Sequence, residues 1–195
     1  MKKSINIFAA ILLLTFVVSS SINAQTQKFA KGDKDINLGI GFGSPWISSG
    51  LSTVLPQINA TFDLGLRDDW GPGVFGVGAY VGTSLYRSST AWIGGSDYGY
   101  RYFNFVVAAR ATYHYTFVEN LDTYGGAVLG FNVSNGRAYG DWPGGVKPSS
   151  DNDLDPVHEI FVGAKYYFSG SFAAFSELST GSSIPYLTIG VALKL

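Results

Sequence analysis

Few residues in this chain have the types needed for catalysis. His114 and His158 are its two histidines, the side chains best suited to acid–base work near neutral pH. A hydrolytic site would need one of them beside a nucleophilic serine and an orienting carboxylate, and no local arrangement of that kind is present. His158 is followed directly by Glu159, but adjacent residues of a strand point to opposite faces. Cysteine is absent, which excludes thiolate chemistry, disulfides and a lipid-modified N-terminus. The run Asp151-Asn152-Asp153-Leu154-Asp155 has the look of a calcium loop, yet the EF-hand glycine position is Pro156 and its closing glutamate position is Val162. A solvated acidic loop, loosely bridging divalent cations to lipid phosphates, is expected there. Gly39-Ile40-Gly41-Phe42-Gly43 is not followed by a helix, so it is no phosphate cradle. The sequence therefore names no catalytic residue, no metal ligand and no cofactor.

What remains is a balanced set of charges, Asp63, Glu159 and Glu177 against Arg110, Lys165 and Lys194. Its meaning depends on the elements that carry it. Those elements are segments of roughly ten residues with period-two alternation. Ile36–Gly43, Gln57–Leu66, Val74–Tyr86 and Tyr102–Tyr115 make the first four, and Asp122–Ser134, Val157–Phe168, Phe172–Ser179 and Tyr186–Leu195 the second four. In each, one face is uniformly apolar, as in Leu187, Ile189, Val191, Leu193 and Leu195. The other is mixed, as in Glu159, Phe161, Gly163, Lys165 and Tyr167. All six charges fall on the mixed face.

The connectors Ser44–Pro56, Arg87–Arg101 and Asn135–Pro156 are long, with Thr180–Pro185 the short exception. Arg67–Gly73, Thr116–Leu121 and Ser169–Ser171 are tight. An even number of strands places both termini on the side of the tight turns. Met1 to Ala24 reads as a cleaved secretory signal: Lys2 and Lys3 precede an apolar stretch from Ile7 to Val18, and Ala24–Gln25 is the expected cut. Residues 25–195 then form one domain. Removing Lys2 and Lys3 from the 13 basic residues leaves the 14 acidic ones in excess, which argues against a nucleic-acid partner. Charged residues make up 14% of the chain, against about 25% in ordinary soluble domains.

A soluble eight-stranded barrel of the lipocalin kind would also alternate, but with its apolar face inward. Here the charges mark the mixed face as the interior, so the apolar face must be turned outward. In water it would form a patch far larger than is usually tolerated; lipid is the simpler solvent. Tyr113, Tyr115, Tyr166, Phe168 and Phe172 near the tight-turn end, with Phe42 and Phe103 near the other, suit two interfacial girdles. The expected fold class is all-β: an eight-stranded antiparallel up-and-down transmembrane β-barrel.

The ending, with Thr188, Gly190, Leu193 and Leu195 in a polar-glycine-hydrophobic-hydrophobic order, resembles the C-terminal sorting signal of outer-membrane barrels, although Leu195 stands where phenylalanine or tryptophan is usual. Together with the signal peptide, the Ile36–Gly43 opening and the closing hairpin carrying Glu177, it resembles the OmpA/OmpX-like small barrels of Gram-negative bacteria. That resemblance implies an outer-membrane location, with outer-membrane lipid, lipopolysaccharide and the insertion machinery as partners.

An eight-stranded barrel is just wide enough for side chains to fill it. Tyr80, Tyr86, Tyr124, Phe161, Tyr167 and Phe175 are expected inside. Hairpin pairing sets Glu177 opposite Gly163 and diagonal to Lys165, so an ion pair between these two is expected. The charges could line a conduction path or form a neutralised plug, and the cost of unpaired buried charge favours the plug. His114 is expected inward near the periplasmic end and His158 near the outer rim. Trp46, Trp92 and Trp142, with Tyr98, Tyr100 and Tyr139, lie in the long connectors as either a recognition surface or part of the interfacial belt. The functional expectation is a structural or surface-interaction barrel. A narrow pore for small or apolar solutes is the alternative, and a lipid-modifying enzyme stands behind it.

Overall fold

The computed structural model describes residues 27–44, 51–91 and 97–195. The signal sequence, Trp46 and Trp92 lie outside the described residues. The strands are β1 (Lys34–Phe42), β2 (Ser52–Arg67), β3 (Val74–Arg87), β4 (Thr90–Ala91), β5 (Asp97–Val118), β6 (Leu121–Tyr139), β7 (Asp151–Tyr167), β8 (Phe172–Gly181) and β9 (Leu187–Lys194). β4 is a two-residue spur on β5, and β3 pairs directly with β5. The other eight strands run up and down, each antiparallel to its neighbours. β1 pairs with β9 from Asp35↔Lys194 to Phe42↔Leu187, which closes the barrel; before Glu159, β7 is paired with β6 alone.

Closure follows from side-chain period. Along β1 every second residue is buried, Asp35, Asn37, Gly39 and Gly41, while Ile36, Leu38, Ile40 and Phe42 face out. The other strands continue the outer face with Val107, Leu129, Phe131, Ile160, Val162 and Val191, each 44–66% exposed. The interior holds nearly all the buried polar and charged side chains. This is a globular core turned inside out. The face assignments read from the sequence hold along the strands, including the least regular one, now β6; the exception is Tyr186, expected inward at the start of the eighth segment, which precedes β9 and is exposed.

The long connectors were expected to be loops, and the structure corrects this. β5 has 22 residues, β6 has 19 and β7 has 17, well beyond the ~9–11 that a tilted membrane strand needs. Residues 97–101, 135–139 and 151–153 are paired backbone that continues past the last apolar outward positions, Phe103, Val133 and Leu154. Alternation in sequence records contrast between the two faces, and above the belt both are polar. Backbone pairing continues where that contrast stops. The acidic run Asp151 to Asp155 is therefore strand, pairing with Asn132 to Gly136; its three carboxylates share one face, in phase with the inward Val157 and Glu159, spaced along an extended backbone rather than wrapped around a common point. Near the start of β2 the register shifts around Leu55 and Ile58, where Pro56 has no N–H to give the ladder.

Candidate functional site: the lumen network

At mid-height, Arg110 on β5 stands across from Gly78 on one side and Val128 on the other. Its Nε lies 2.8 Å from Asp63 Oδ1, and its Nη2 donates to Glu177 Oε1 at 2.8 Å. Tyr124 Oη donates to the same glutamate oxygen at 2.9 Å. Lys165 Nζ lies 2.9 Å from Asp35 Oδ2 and 3.6 Å from Asp63 Oδ2, and Tyr167 Oη donates to Asp35 at 2.8 Å. Asn37 Nδ2 adds a bond to Asp63 Oδ2 at 3.1 Å. One continuous network, Tyr167–Asp35–Lys165–Asp63–Arg110–Glu177–Tyr124, thus crosses the lumen and ties β1, β2, β5, β6, β7 and β8 together.

The Arg110, Asp63, Lys165 and Asp35 side chains are fully buried, where one unpaired charge costs several kcal/mol. Each cation accordingly touches two carboxylates. Aromatic faces complete the cage, with Arg110 Cζ 4.3 Å from the Phe161 ring centre and Lys165 Nζ 5.0 Å from that of Tyr124. Gly163 makes room, since a Cβ there would come within 2.7 Å of Tyr124 Cζ and 2.9 Å of Glu177 Cγ.

Glu177 does stand opposite Gly163, but its ion pair is with Arg110 rather than Lys165. Arg110 reaches it across the lumen, and Lys165 turns towards Asp35. Cross-strand neighbourhood alone does not choose partners in a tube, because every inward side chain can also meet the far wall. The six charges do not form one cluster either. Glu159 and Lys194 lie on either side of the network, and each bonds to a segment outside the strands.

Glu159 Oε1 accepts the backbone N–H groups of Ser183 and Ile184 at 2.7 and 3.1 Å. This draws the β8–β9 turn into the mouth of the barrel. Ile184 is 6% exposed and packs with Tyr80, Val106, Val157 and Phe161. Pro185 lies against Gly41, where a Cβ would fall 2.1 Å from the proline Cγ, and the Ser179 hydroxyl donates to its carbonyl.

At the tight-turn end the chain before β1 folds back inside. Phe29 is completely buried and stacks on His114 at 4.0 Å. His114 Nδ1 lies 2.7 Å from Asp122 Oδ2, and Tyr124 stacks on the imidazole at 5.0 Å. Lys28 N donates to Thr116 Oγ1 and Gln27 Nε2 to Pro72 O. The half-buried Lys194 ammonium pairs with Asp33 and donates to the Lys28 carbonyl.

His158 is exposed on the outer wall, in register with Leu129, so the two histidines lie on opposite sides of the barrel wall. Of the C-terminal signal residues, Thr188 is buried, Gly190 is in register with Gly39, and Leu193 and Leu195 point outward. Trp142 donates from Nε1 to the Tyr139 carbonyl and packs on Tyr98 and Tyr100. Asp35, Asp122, Phe29 and the inward turn at Ser183 to Pro185 were not singled out from sequence. Asp35 sits one residue before the first segment as read, in phase with its polar face. Asp122 is likewise in phase with Tyr124. For Phe29 and the turn, which lie outside any periodic stretch, no signal was available.

No protein-family model matches the chain, and no curated protein matches it. Among solved structures, the N-terminal β-barrel domain of Pseudomonas aeruginosa OprF is similar, with TM-score 0.47 and 15% identity over 85% of this chain and 98% of that one. Ail, the attachment invasion locus protein of Yersinia pestis, is similar with TM-score 0.47 and 13% identity over 84% and 96%. Neisserial surface protein A gives TM-score 0.39 and 11% identity over 84% and 94%.

Proposed function

We propose that this chain is an integral outer-membrane barrel of a Gram-negative envelope with a structural or surface-interaction role, its lumen closed by its own side chains. The observation that carries this reading is the stacking of three barriers along one axis. They are the Glu159-held turn at Ser183 and Ile184, the network centred on Arg110, and the Phe29–His114 stack. A solute would have to pass all three, and the middle one could open only by leaving buried charges unpaired. The outward apolar belt supports the membrane setting, since hydrocarbon requires every backbone polar group to be paired and a closed sheet does this.

In this reading residues 1–24 are removed on export, residues 25–195 form the barrel, and the insertion machinery reads Thr188, Gly190, Leu193 and Leu195. Outer-membrane lipid and lipopolysaccharide surround the belt. The protein is not an enzyme in this reading and uses no cofactor. The one histidine–carboxylate pair, His114–Asp122, lies in the interior between Phe29 and Tyr124 with no room for a substrate. Any binding role belongs to the projecting ribbon of β5, β6 and β7 and to the tryptophans at 46, 92 and 142. The test is single-channel recording of the refolded mature chain in a planar bilayer. A quiet bilayer is expected, and steady conductance steps would favour the narrow pore instead.

A further inference from the structure

Five arginines occur in the chain, and three of them form one row. Arg87 on β3 is in direct register with Arg101 on β5, and Arg101 with Arg137 on β6. All three are exposed on the outer wall. Directly opposed residues on neighbouring strands have Cβ atoms about 4.5–5.5 Å apart, and like charges so placed repel. No carboxylate relieves them. All 14 Asp and Glu residues are among the described residues, and none lies within ion-pair distance of these three guanidinium groups.

Neutral groups hold the row in place instead. The Tyr139 ring lies 5.9 Å from Arg87 Cζ and 5.1 Å from Arg101 Cζ, and its hydroxyl is anchored on the Ser88 carbonyl at 3.0 Å. Arg137 Nε donates to Asn135 Oδ1 at 2.9 Å. The height is equally defined. The next outward position towards the membrane is Leu85 on β3 and Phe103 on β5, then Thr83 and Phe105, so the row stands at the upper edge of the apolar belt. A groove of about 580 Å³ joins both levels, lined by Leu85, Phe103, Arg101, Arg137 and Tyr139 among others.

We propose that this row is a binding site for the phosphate of a lipid headgroup in the outer leaflet. Guanidinium forks match phosphate oxygens in pairs, and one phosphate between adjacent arginines turns their repulsion into attraction. The apolar floor of the same groove takes the start of the acyl chain, which distinguishes a lipid from free phosphate. The proposal rests on the orientation and membrane setting given above.

The test uses the mature chain refolded into phosphatidylcholine nanodiscs doped with a bis-phosphorylated glycolipid, or with the same glycolipid stripped of phosphate. Retained lipid is measured by native mass spectrometry. Wild type should keep the phosphorylated form selectively. R101Q and R137Q should each reduce retention about tenfold, the loss of a charge-assisted contact, while R67Q on the opposite rim changes nothing. Folding of each variant is checked by heat-modifiable migration, and the lipid-free variants should be no less stable than wild type because a repulsion has been removed. Equal retention of both glycolipid forms, or an unaffected R101Q/R137Q double variant, would overturn the proposal. Displacement of the lipid by inorganic phosphate at equal affinity would assign the site to free phosphate and overturn it too. A chain that never enters nanodiscs would instead fail the barrel reading itself, a result separable from the others because no folded, lipid-embedded species would be seen.

Discussion

Arg110 donates to one carboxylate and lies against another, so deleting either partner leaves a buried cation short of a counter-charge. Glu177→Ala should therefore destabilise the barrel by about 3–5 kcal/mol, read as a lower urea midpoint in lipid vesicles, while bilayer conductance stays at the wild-type level. A large steady conductance in the variant would mean that Glu177 is a gate. Glu177→Gln, which can still accept from Tyr124 and Arg110, should lose less. Gly163→Ala tests the same network by crowding, because its methyl group would press on both Tyr124 and Glu177. Overpacking of this kind costs about 1–3 kcal/mol, and an unfolding midpoint equal to wild type would show that the network has slack. At this scale the sequence revealed which residues face inward but not who pairs with whom. Parity along a strand decides the first. The second depends on side chains crossing the tube, as Arg110 does to reach Glu177.

The alternating strands were legible as elements because each of their two faces meets a different environment, apolar outside and polar within. Their limits were less so, since polar ribbon and polar loop look alike in sequence, which is why Asp151 to Asp155 read as a loop. Least legible were the two inward-folded segments. Ser183-Ile184-Pro185 reads as an ordinary connector; Glu159, offering an acceptor to two backbone N–H groups, and the packing of Ile184 draw it inward. Gly41→Ala should push this turn out, because the new Cβ collides with Pro185. Faster amide exchange at Ser183 and Ile184, with the strands unaffected, is the expected result, and unchanged protection there would contradict the account of the turn. Phe29→Ala should cost about 3–5 kcal/mol by emptying the space beside His114. The barrel should nevertheless stay closed to ions, because the Arg110 network and the Ile184 turn remain.

For the molecule as a whole, the function proposed above requires the barrel wall to separate hydrocarbon from a dry, packed interior. Arginine at Val107 should then cost about 2–4 kcal/mol near the bilayer midplane, seen as impaired insertion. The most direct measurement uses the absence of native cysteine to place single spin labels along β5, at Phe103, Phe105, Val107 and Ala109 and at the intervening Asn104, Val106 and Ala108, in the refolded chain in bilayers. Labels at the odd positions should be reached by dissolved oxygen and not by a water-soluble nickel chelate, whereas labels at the even positions should be reached by neither. Chelate access at Val106 and Ala108 would reveal an aqueous lumen, and loss of the odd–even alternation would show that this wall does not face lipid.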